Sequence, residues 1–227
     1  MKEYIVTAQD GIDLFVRDNR VSDDHLLVLC HGRSANISGY ADRQEMFGQR
    51  GISTLAYDQR GAKDGKSDGD FSTFTTTQRT DDLREILTYA FTLGYQNVSL
   101  SGTSLGALQS IVVADEFENL HSLVLRATVA DSAQILASRK DLSEVFKEDA
   151  DKYGKEVIAA YAQKIGIPIL MIHGEKDEIA SYDDAVELYT KLQHGSGFIC
   201  VPNAGHDCGG KKTGEMLLER TVYFLNR

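Results

Sequence analysis

The residues with the clearest chemical potential form the pentapeptide GTSLG at positions 102–106. Residues 97–101, just before it, predict a short buried strand, and residues 105–117 carry the apolar pattern of a helix. Glycines on both sides of Ser104 permit a very sharp turn from strand to helix, and such a turn holds the serine hydroxyl out at the strand tip. The sequence therefore predicts a nucleophile elbow with Ser104 as the nucleophile.

The residue after the serine has a second predicted role in this elbow. The backbone amide of Leu105 stands in the first turn of the predicted helix, where amides have no partner within the helix. It can donate a hydrogen bond to the oxygen that becomes negatively charged when a nucleophile attacks a carbonyl group. We predict that Leu105 provides one donor of an oxyanion hole.

A serine hydroxyl is a weak nucleophile at neutral pH and needs a base, which is in turn oriented by a carboxylate. Two later strands end in loops that contain these groups. The predicted strand at 168–172 leads into HGEKD, which ends at Asp177, and the predicted strand at 198–201 leads into PNAGH, which ends at His206. This chain order accompanies elbows of this kind, so we predict a triad of Ser104, Asp177 and His206.

The acid is the least specific member of this triad. Glu175 and Glu178 are neighbours of Asp177 that could take its role, and a solvated acidic loop is the plain alternative. A small residue in a tight turn and an ordinary loop histidine are the corresponding interpretations of Ser104 and His206.

The elements that must position these groups follow from the alternation of Val-, Ile- and Leu-rich segments with segments of helical period. This pattern is typical of a mostly parallel sheet covered by helices on both faces. Eight strands are predicted, at 4–8, 13–17, 25–30, 53–57, 97–101, 122–126, 168–172 and 198–201. Helices are predicted at 39–49, 76–93, 105–117, 183–192 and 213–225. The first two strands flank QDG, a hairpin signal, and predict an antiparallel edge.

Two further motifs complete a resemblance to the α/β-hydrolase fold superfamily, which covers nearly the whole chain. HG at 31–32 follows the third strand, where that family has its His-Gly oxyanion loop. DQRG at 58–61 followed by GKS at 65–67 is similar to the family's Asp-x-Arg-Gly-x-Gly-x-Ser turn, with two extra residues inside it. The stretch from 67 to 76 is similar to the small esterase and serine-peptidase-like branch that includes feruloyl and cinnamoyl esterases.

The resemblance implies an α/β-hydrolase fold, with about eight mostly parallel strands, helices on both faces and a short helical cap. It also implies that the backbone amide of Arg33 is the second oxyanion donor beside Leu105. We expect the Arg33 side chain to be exposed to solvent, with recognition of a carboxylate-bearing substrate as the alternative. His31 and His173 are interpreted as structural residues.

The reaction implied is acyl transfer to Ser104, with His206 as general base and then general acid, and with Asp177 fixing the imidazole tautomer. Carboxylic esters of small to medium acyl groups are the expected substrates. Thioester and amide hydrolysis on the same triad remain alternatives, because the leaving-group pocket decides between them. Binding of a ligand or partner without catalysis is a second alternative.

A single domain is expected over residues 1–227, with a small cap or lid insertion at about 129–166. Two apolar faces predict two helices in this insertion; they consist of Leu142, Val145 and Phe146, and of Val157, Ile158, Tyr161 and Ile165. Two helices packed on the core and a lid that shapes the acyl pocket are both consistent with this pattern.

Composition narrows the classes of partner. The net charge of −10 argues against nucleic acid and, weakly, against anionic membrane surfaces. No segment approaches the roughly 20 apolar residues that span a bilayer, so we expect a cytoplasmic protein.

Three cysteines without paired spacing indicate neither disulfides nor zinc, and no metal or organic cofactor is expected. The expected partner is a small-molecule ester or thioester; monomer and homodimer remain open.

Overall fold

Within the described part of the chain, eight strands form one sheet, and the predicted loops follow its parallel strands. The computed structural model describes residues 1–192 and 196–227, and of residues 211 and 212 only the backbone. The strand order is β1-β2-β4-β3-β5-β6-β7-β8. β1 pairs antiparallel with β2 and β2 antiparallel with β4, whereas the other neighbours are parallel. The strands are β1 Lys2–Thr7, β2 Asp13–Asn19, β3 His25–Cys30, β4 Ser53–Tyr57, β5 Asn97–Thr103, β6 Leu120–Arg126, β7 Ile169–Gly174 and β8 Gly197–Val201.

Helices cover both faces of this sheet. They are α1 Ala41–Gly48, α2 Thr76–Phe91, α3 Leu105–Ala114, α4 Ser132–Ser138, α5 Glu144–Ala150, α6 Lys155–Ala162, α7 Tyr182–Tyr189 and α8 Gly210–Leu225, with 3₁₀ turns at Ile37–Tyr40 and Asp151–Tyr153. Side chains alternate between the faces of β3: Leu26 and Val28 belong to the core under α2 and α3, and Leu27 and Leu29 belong to the core under α1 and α8. This two-sided burial confirms the predicted fold class.

Helix ends differ from the predictions by a few residues. The helix predicted at 39–49 begins as the 3₁₀ turn Ile37–Tyr40 and becomes α-helical only at α1. The helix after Ser104 ends at Ala114, because its last turn tightens until the Glu116 amide bonds the Val113 carbonyl at 3.0 Å.

Segment 129–166 contains three short α-helices, α4 to α6, where two were predicted. Each has seven or eight residues and can therefore bury only a narrow stripe. Phe146 and Ile158 are buried against the core, whereas Val145 and Val157, predicted on the same apolar faces, are 49% and 42% exposed. No helix in the described residues is long and apolar enough to cross a bilayer.

Candidate functional site

Ser104 is the single residue between the end of β5 and the start of α3. Its backbone has φ 56° and ψ −120°, a conformation that an L-residue adopts at a cost of about 1–3 kcal/mol. The turn persists because its polar groups are bonded: the Ser104 amide donates to the Arg126 carbonyl of β6 at 2.9 Å, and the Ala107 amide donates to the Ser104 carbonyl at 2.9 Å. The strain is thus held by the sheet and by the helix together.

The two glycines of the elbow are required by close approach. A Cβ on Gly102 would overlap the Gly106 carbonyl oxygen and the Ser110 hydroxyl. A Cβ on Gly106 would lie 2.5 Å from the carbonyl oxygens of both Cys30 and His31, at the end of β3. The start of α3 is therefore pressed against the end of β3, which brings the elbow next to the His-Gly loop.

His206 contacts both other members of the predicted triad. Its Nε2 lies 2.9 Å from Ser104 Oγ, and its Nδ1 lies 2.9 Å and 3.0 Å from the two carboxylate oxygens of Asp177. A carboxylate only accepts, so Nδ1–H donates to Asp177 and Nε2 is left to accept the serine proton. The His206 side chain is 25% exposed, whereas that of Asp177 is fully buried.

Backbone contacts between the loops after β7 and β8 hold Asp177 and His206 together. The Lys176 amide donates to the Ala204 carbonyl at 2.8 Å, and the Glu175 amide donates to the Val201 carbonyl at 3.0 Å. From β6, Arg126 donates to the carbonyl of Asp207. The imidazole is thus positioned by three strand ends.

Asp177 is held in its ionised form by hydrogen bonds. Burial acts to raise its pKa, but the bonds donated by His173, by His206 and by the backbone amides of Ala180 and Ile179 outweigh burial, and the pKa lies below its ordinary value. The His173 contribution was not predicted. Its Nε2 lies 3.3 Å from Asp177 Oδ2 and 3.0 Å from the Ala180 carbonyl.

The structure separates the three candidate acids. Glu175 and Glu178 are exposed, and Glu175 accepts the Asn203 amide at 2.9 Å. Asp177 is the one of these three that His206 contacts.

Both predicted oxyanion donors belong to segments next to the serine: Leu105 follows it in the chain, and Arg33 follows Gly32. A Cβ on Gly32 would lie 3.1 Å from Ser104 Cβ, so the His-Gly loop touches the elbow. No hydrogen bond among the described residues uses the amides of Arg33 or Leu105. His31 is fully buried; its Nε2 accepts the Gln59 amide at 3.0 Å, and its Nδ1–H donates to the Gly32 carbonyl at 2.8 Å. Both ring nitrogens therefore support the loop.

Arg79 links the His-Gly loop to the turn after β4 through hydrogen bonds, and this role was not predicted from the sequence. Its guanidinium donates to the carbonyls of Arg33, Arg60 and Gly61 at 2.9–3.0 Å. A signal was present, because Arg79 shares the buried stripe of α2 with Leu83 and other apolar residues. A lone arginine on such a stripe indicates a buried cation that needs several acceptors.

The turn after β4 closes despite its two extra residues. The Asp58 carboxylate accepts the amides of Ile37 at 2.7 Å and of Lys66 at 2.8 Å, and the Ser67 hydroxyl donates to the Asp58 carbonyl at 2.5 Å. Asp64, within the insertion, takes a positive φ of 56°. The longer loop therefore keeps both ends of the motif at Asp58.

The expectation that the Arg33 side chain is exposed was wrong. The residue is 6% exposed, because its guanidinium is covered by Phe71, Phe74 and Phe146. These aromatic residues come from the turn before α2 and from α5. Both elements are far from Arg33 in the chain, so the burial of its side chain could not be predicted from the neighbouring sequence.

Within residues 1–192 and 196–227, no three His, Cys, Asp or Glu side chains are grouped as a metal site would need. Cys30 and Cys208 are buried, and Cys200 is half-buried. Burial raises the pKa of the Cys30 thiol to about 12 and raises that of Cys208 as well. These two thiols are therefore poor nucleophiles.

Residues 22–148, more than half of the chain, match the family described as serine aminopeptidase, S33. The chain belongs to this family. Membership in S33 makes it a hydrolase of the α/β-hydrolase superfamily and confirms the resemblance inferred from the motifs.

Relatives of this S33 member are distant but cover most of its length. YfhR of Escherichia coli K12, described as uncharacterized, is 24% identical over an alignment of 228 positions, which covers 96% of this chain and 78% of that protein. Est1E of Butyrivibrio proteoclasticus, solved with bound ferulic acid, has a TM-score of 0.82 at 20% identity and covers 96% of each chain. The esterase Pf2001 of Pyrococcus furiosus has a TM-score of 0.80 at 20% identity, covering 100% of this chain and 90% of that one. These structures confirm the α/β-hydrolase fold.

Proposed function

We propose that this hydrolase cleaves carboxylic esters of small to medium acyl groups through an acyl-enzyme formed on Ser104. The observation that carries the proposal is the hydrogen-bond chain from Ser104 through His206 to the buried Asp177, anchored on a strained elbow. A residue that served only as a turn would not need the strain, and the imidazole would not need a buried carboxylate behind it.

The first half of the reaction forms the acyl-enzyme. Ser104 Oγ attacks the acyl carbon while its proton passes to His206 Nε2, and the negative charge on the carbonyl oxygen is met by the amides of Arg33 and Leu105. Asp177, kept ionised by its hydrogen bonds, stabilises the imidazolium that results. His206 then gives the proton to the leaving alcohol oxygen as the C–O bond breaks.

The second half releases the acid. A water molecule loses its proton to His206 Nε2 and attacks the acyl carbon. The bond to Ser104 Oγ breaks, and the serine recovers its proton from the imidazolium. Both oxyanions occupy the same place, so loss of either amide should lower both steps, by roughly 10²–10³-fold.

Residues 129–166 are proposed as a cap over the acyl group in a single domain of residues 1–227. A cleft of about 550 Å³ lies beside the triad, between α4 and the loop that carries Asp177, and its lining includes Gln134 and Glu178. Neither Ser104 nor His206 lines this cleft, so the proposal rests on the packing of α4 next to that loop.

Amide hydrolysis is a second candidate, because the family is described as a serine aminopeptidase. A panel of short-chain nitrophenyl esters, acyl-CoA thioesters and aminoacyl anilides separates the candidates by kcat/KM. Esters are expected to be cleaved fastest, and comparable rates on all three classes would leave the ester preference without support.

The nucleophile is tested by labelling with a fluorophosphonate probe, which reacts with activated serines. Wild-type protein should be labelled, and mass spectrometry should place the adduct on Ser104. Ser104→Ala should not react, whereas Ser101→Ala, which changes a serine near the end of β5, should still be labelled. A folded wild-type protein that does not react would refute the proposed nucleophile and favour the non-catalytic alternative.

A further inference from the structure

Ester hydrolysis as proposed above uses the backbone amide of Arg33 and leaves its side chain without a role. That side chain is only 7% exposed. Its guanidinium carbon lies 4.7 Å, 5.4 Å and 5.8 Å from the ring centres of Phe71, Phe146 and Phe74. Phenyl faces attract a cation but do not replace the strong acceptors that its N–H groups need. The charge is therefore enclosed mainly by aromatic surface.

The hydrogen bonding of this guanidinium is incomplete. Its contacts with the Asp141 carboxylate and carbonyl are 3.4 Å and 3.5 Å long, well beyond the roughly 2.7–2.9 Å of a strong charged hydrogen bond. Nε is buried and has no partner among the described residues. Burial acts to lower the pKa of Arg33, and the Asp141 charge offsets this only in part. Buried charges are normally paired, so the group has unused capacity for an anion.

This unused charge belongs to the residue next to the loop that contacts Ser104. Arg33 follows Gly32, where a Cβ would lie 3.7 Å from Ser104 Oγ. Its side chain extends from the oxyanion loop to Asp141, in the loop between α4 and α5 of the proposed cap. The Asp141 side chain is 61% exposed, so an anion of a ligand can take its place without first opening the core.

We propose that Arg33 binds a free carboxylate in the acyl part of the substrate, and that Asp141 occupies this subsite when substrate is absent. A planar guanidinium can donate two parallel N–H groups to one carboxylate. The long contact with the exposed Asp141 does not form this pair of short hydrogen bonds. The substrate class is then monoesters of short dicarboxylic acids. This inference rests on the proposed ester hydrolysis at Ser104.

The test compares an acidic ester with its neutral isostere. Monoethyl glutarate carries the carboxylate in the acyl part, and ethyl glutaramate replaces it by an amide of the same shape. A second pair, the butyrate ester of β-hydroxypropanoate and the corresponding amide, carries the group in the leaving alcohol. We expect the wild-type kcat/KM, measured by acid release at fixed pH, to favour monoethyl glutarate by roughly 10- to 100-fold, as one charged hydrogen-bonded pair allows.

Variants connect this preference to Arg33. Arg33→Gln should bring the acid-to-amide ratio close to one, and the ratio cancels any disturbance of the shared oxyanion amide. Asp141→Asn should raise the ratio, because it removes the competing anion. Lys140→Gln removes an exposed cation beside Asp141 and should leave the ratio unchanged, since exposed charges are screened.

Three outcomes would overturn the inference: a wild-type ratio near one in the acyl pair, a preference confined to the alcohol pair, or a ratio that survives Arg33→Gln. If Arg33→Gln does not fold, Asp141→Asn provides the test instead. An acid-to-amide ratio that Asp141→Asn does not raise would then overturn the inference. Equal cleavage of both glutaric esters refutes only the carboxylate subsite. Failure to cleave any ester, together with an unlabelled Ser104, refutes the proposed function itself.

Discussion

At the scale of single residues, the role that a carboxylate can take in the candidate site depends more on its burial and hydrogen bonds than on its residue type. Asp177 and Glu175 are both carboxylates after β7, separated by two positions. Asp177 is buried and accepts hydrogen bonds from His206, His173 and two amides, whereas Glu175 is exposed and accepts one loop amide. Only the first can hold an imidazole in one tautomer.

Replacing these two carboxylates by their amides tests this difference. Asp177→Asn should lower kcat/KM by about 10⁴-fold, because the amide favours the wrong tautomer of His206. Glu175→Gln should stay close to wild type, since its neutral amide oxygen can still accept the Asn203 amide. Rates on a nitrophenyl ester measure both. Loss of activity in Glu175→Gln alone would mean that Asp177 is not the acid.

At the scale of elements, the distance between α3 and the end of β3 positions Ser104, the proposed nucleophile, against the His-Gly loop. Gly106 sets this distance, because its α-carbon faces the carbonyls of Cys30 and His31. Gly214, in α8, is also helical, but a Cβ there would meet no atom within 4 Å. The two glycines therefore offer a matched pair of substitutions.

Gly106→Ala should lower the free energy of unfolding by about 1–3 kcal/mol, because the added methyl group overpacks a rigid backbone contact. It should also lower kcat/KM by about 10²-fold, since displacement of α3 moves Ser104 and Leu105 relative to Arg33. Gly214→Ala should instead stabilise the protein by about 0.5–1 kcal/mol with unchanged activity. Urea unfolding and ester hydrolysis measure these effects; equal behaviour of the two variants would contradict the assigned spacing.

At the scale of the whole molecule, two buried neutral histidines couple folding to pH. Burial, with the nearby His121 charge, lowers the pKa of His25 to about 4. Burial lowers the pKa of His31 to about 3. The unfolded chain protonates these side chains near pH 6.5, roughly the ordinary value for histidine. The stability that the protein has with both histidines neutral is therefore complete above that pH. It is lost as the pH falls toward the pKa values of the folded state.

Between pH 7 and pH 5, the free energy of unfolding should decrease, approaching about 1.4 kcal/mol per pH unit for each histidine below pH 6. Urea unfolding at several pH values measures the slope. His25→Gln should reduce it, because one of the two groups is removed. A slope of zero over this range in the wild-type protein would show that these histidines are not held neutral.

Much of the fold follows from local pattern. The continuous apolar runs of β3 and β4 predict strands buried on both faces, and the QDG turn predicts the antiparallel edge. Positions in segment 129–166 were harder to predict, because helices of two turns carry too few residues for an apolar face to be unambiguous. For this reason Val145 and Val157 were predicted on apolar faces although both are exposed.

The residues of the candidate site also differ in how far they could be predicted from the sequence. Ser104, Asp177 and His206 could be named from sequence, because each follows its own strand and parallel strands bring their ends to one edge. The side chains of Arg33, Arg79 and His173 take their surroundings from elements far away in the chain.

The amino-acid sequence by itself determined the fold class and the residue types placed at each strand end, since hydrophobic period and glycine-flanked turns are local properties. Only the tertiary structure decided which carboxylate faces His206, and whether the Arg33 charge lies in solvent or under Phe146. The physical reason is that burial and hydrogen bonding depend on residues that meet only after the chain has folded, and in the low dielectric of the interior these surroundings control what a charged group can do.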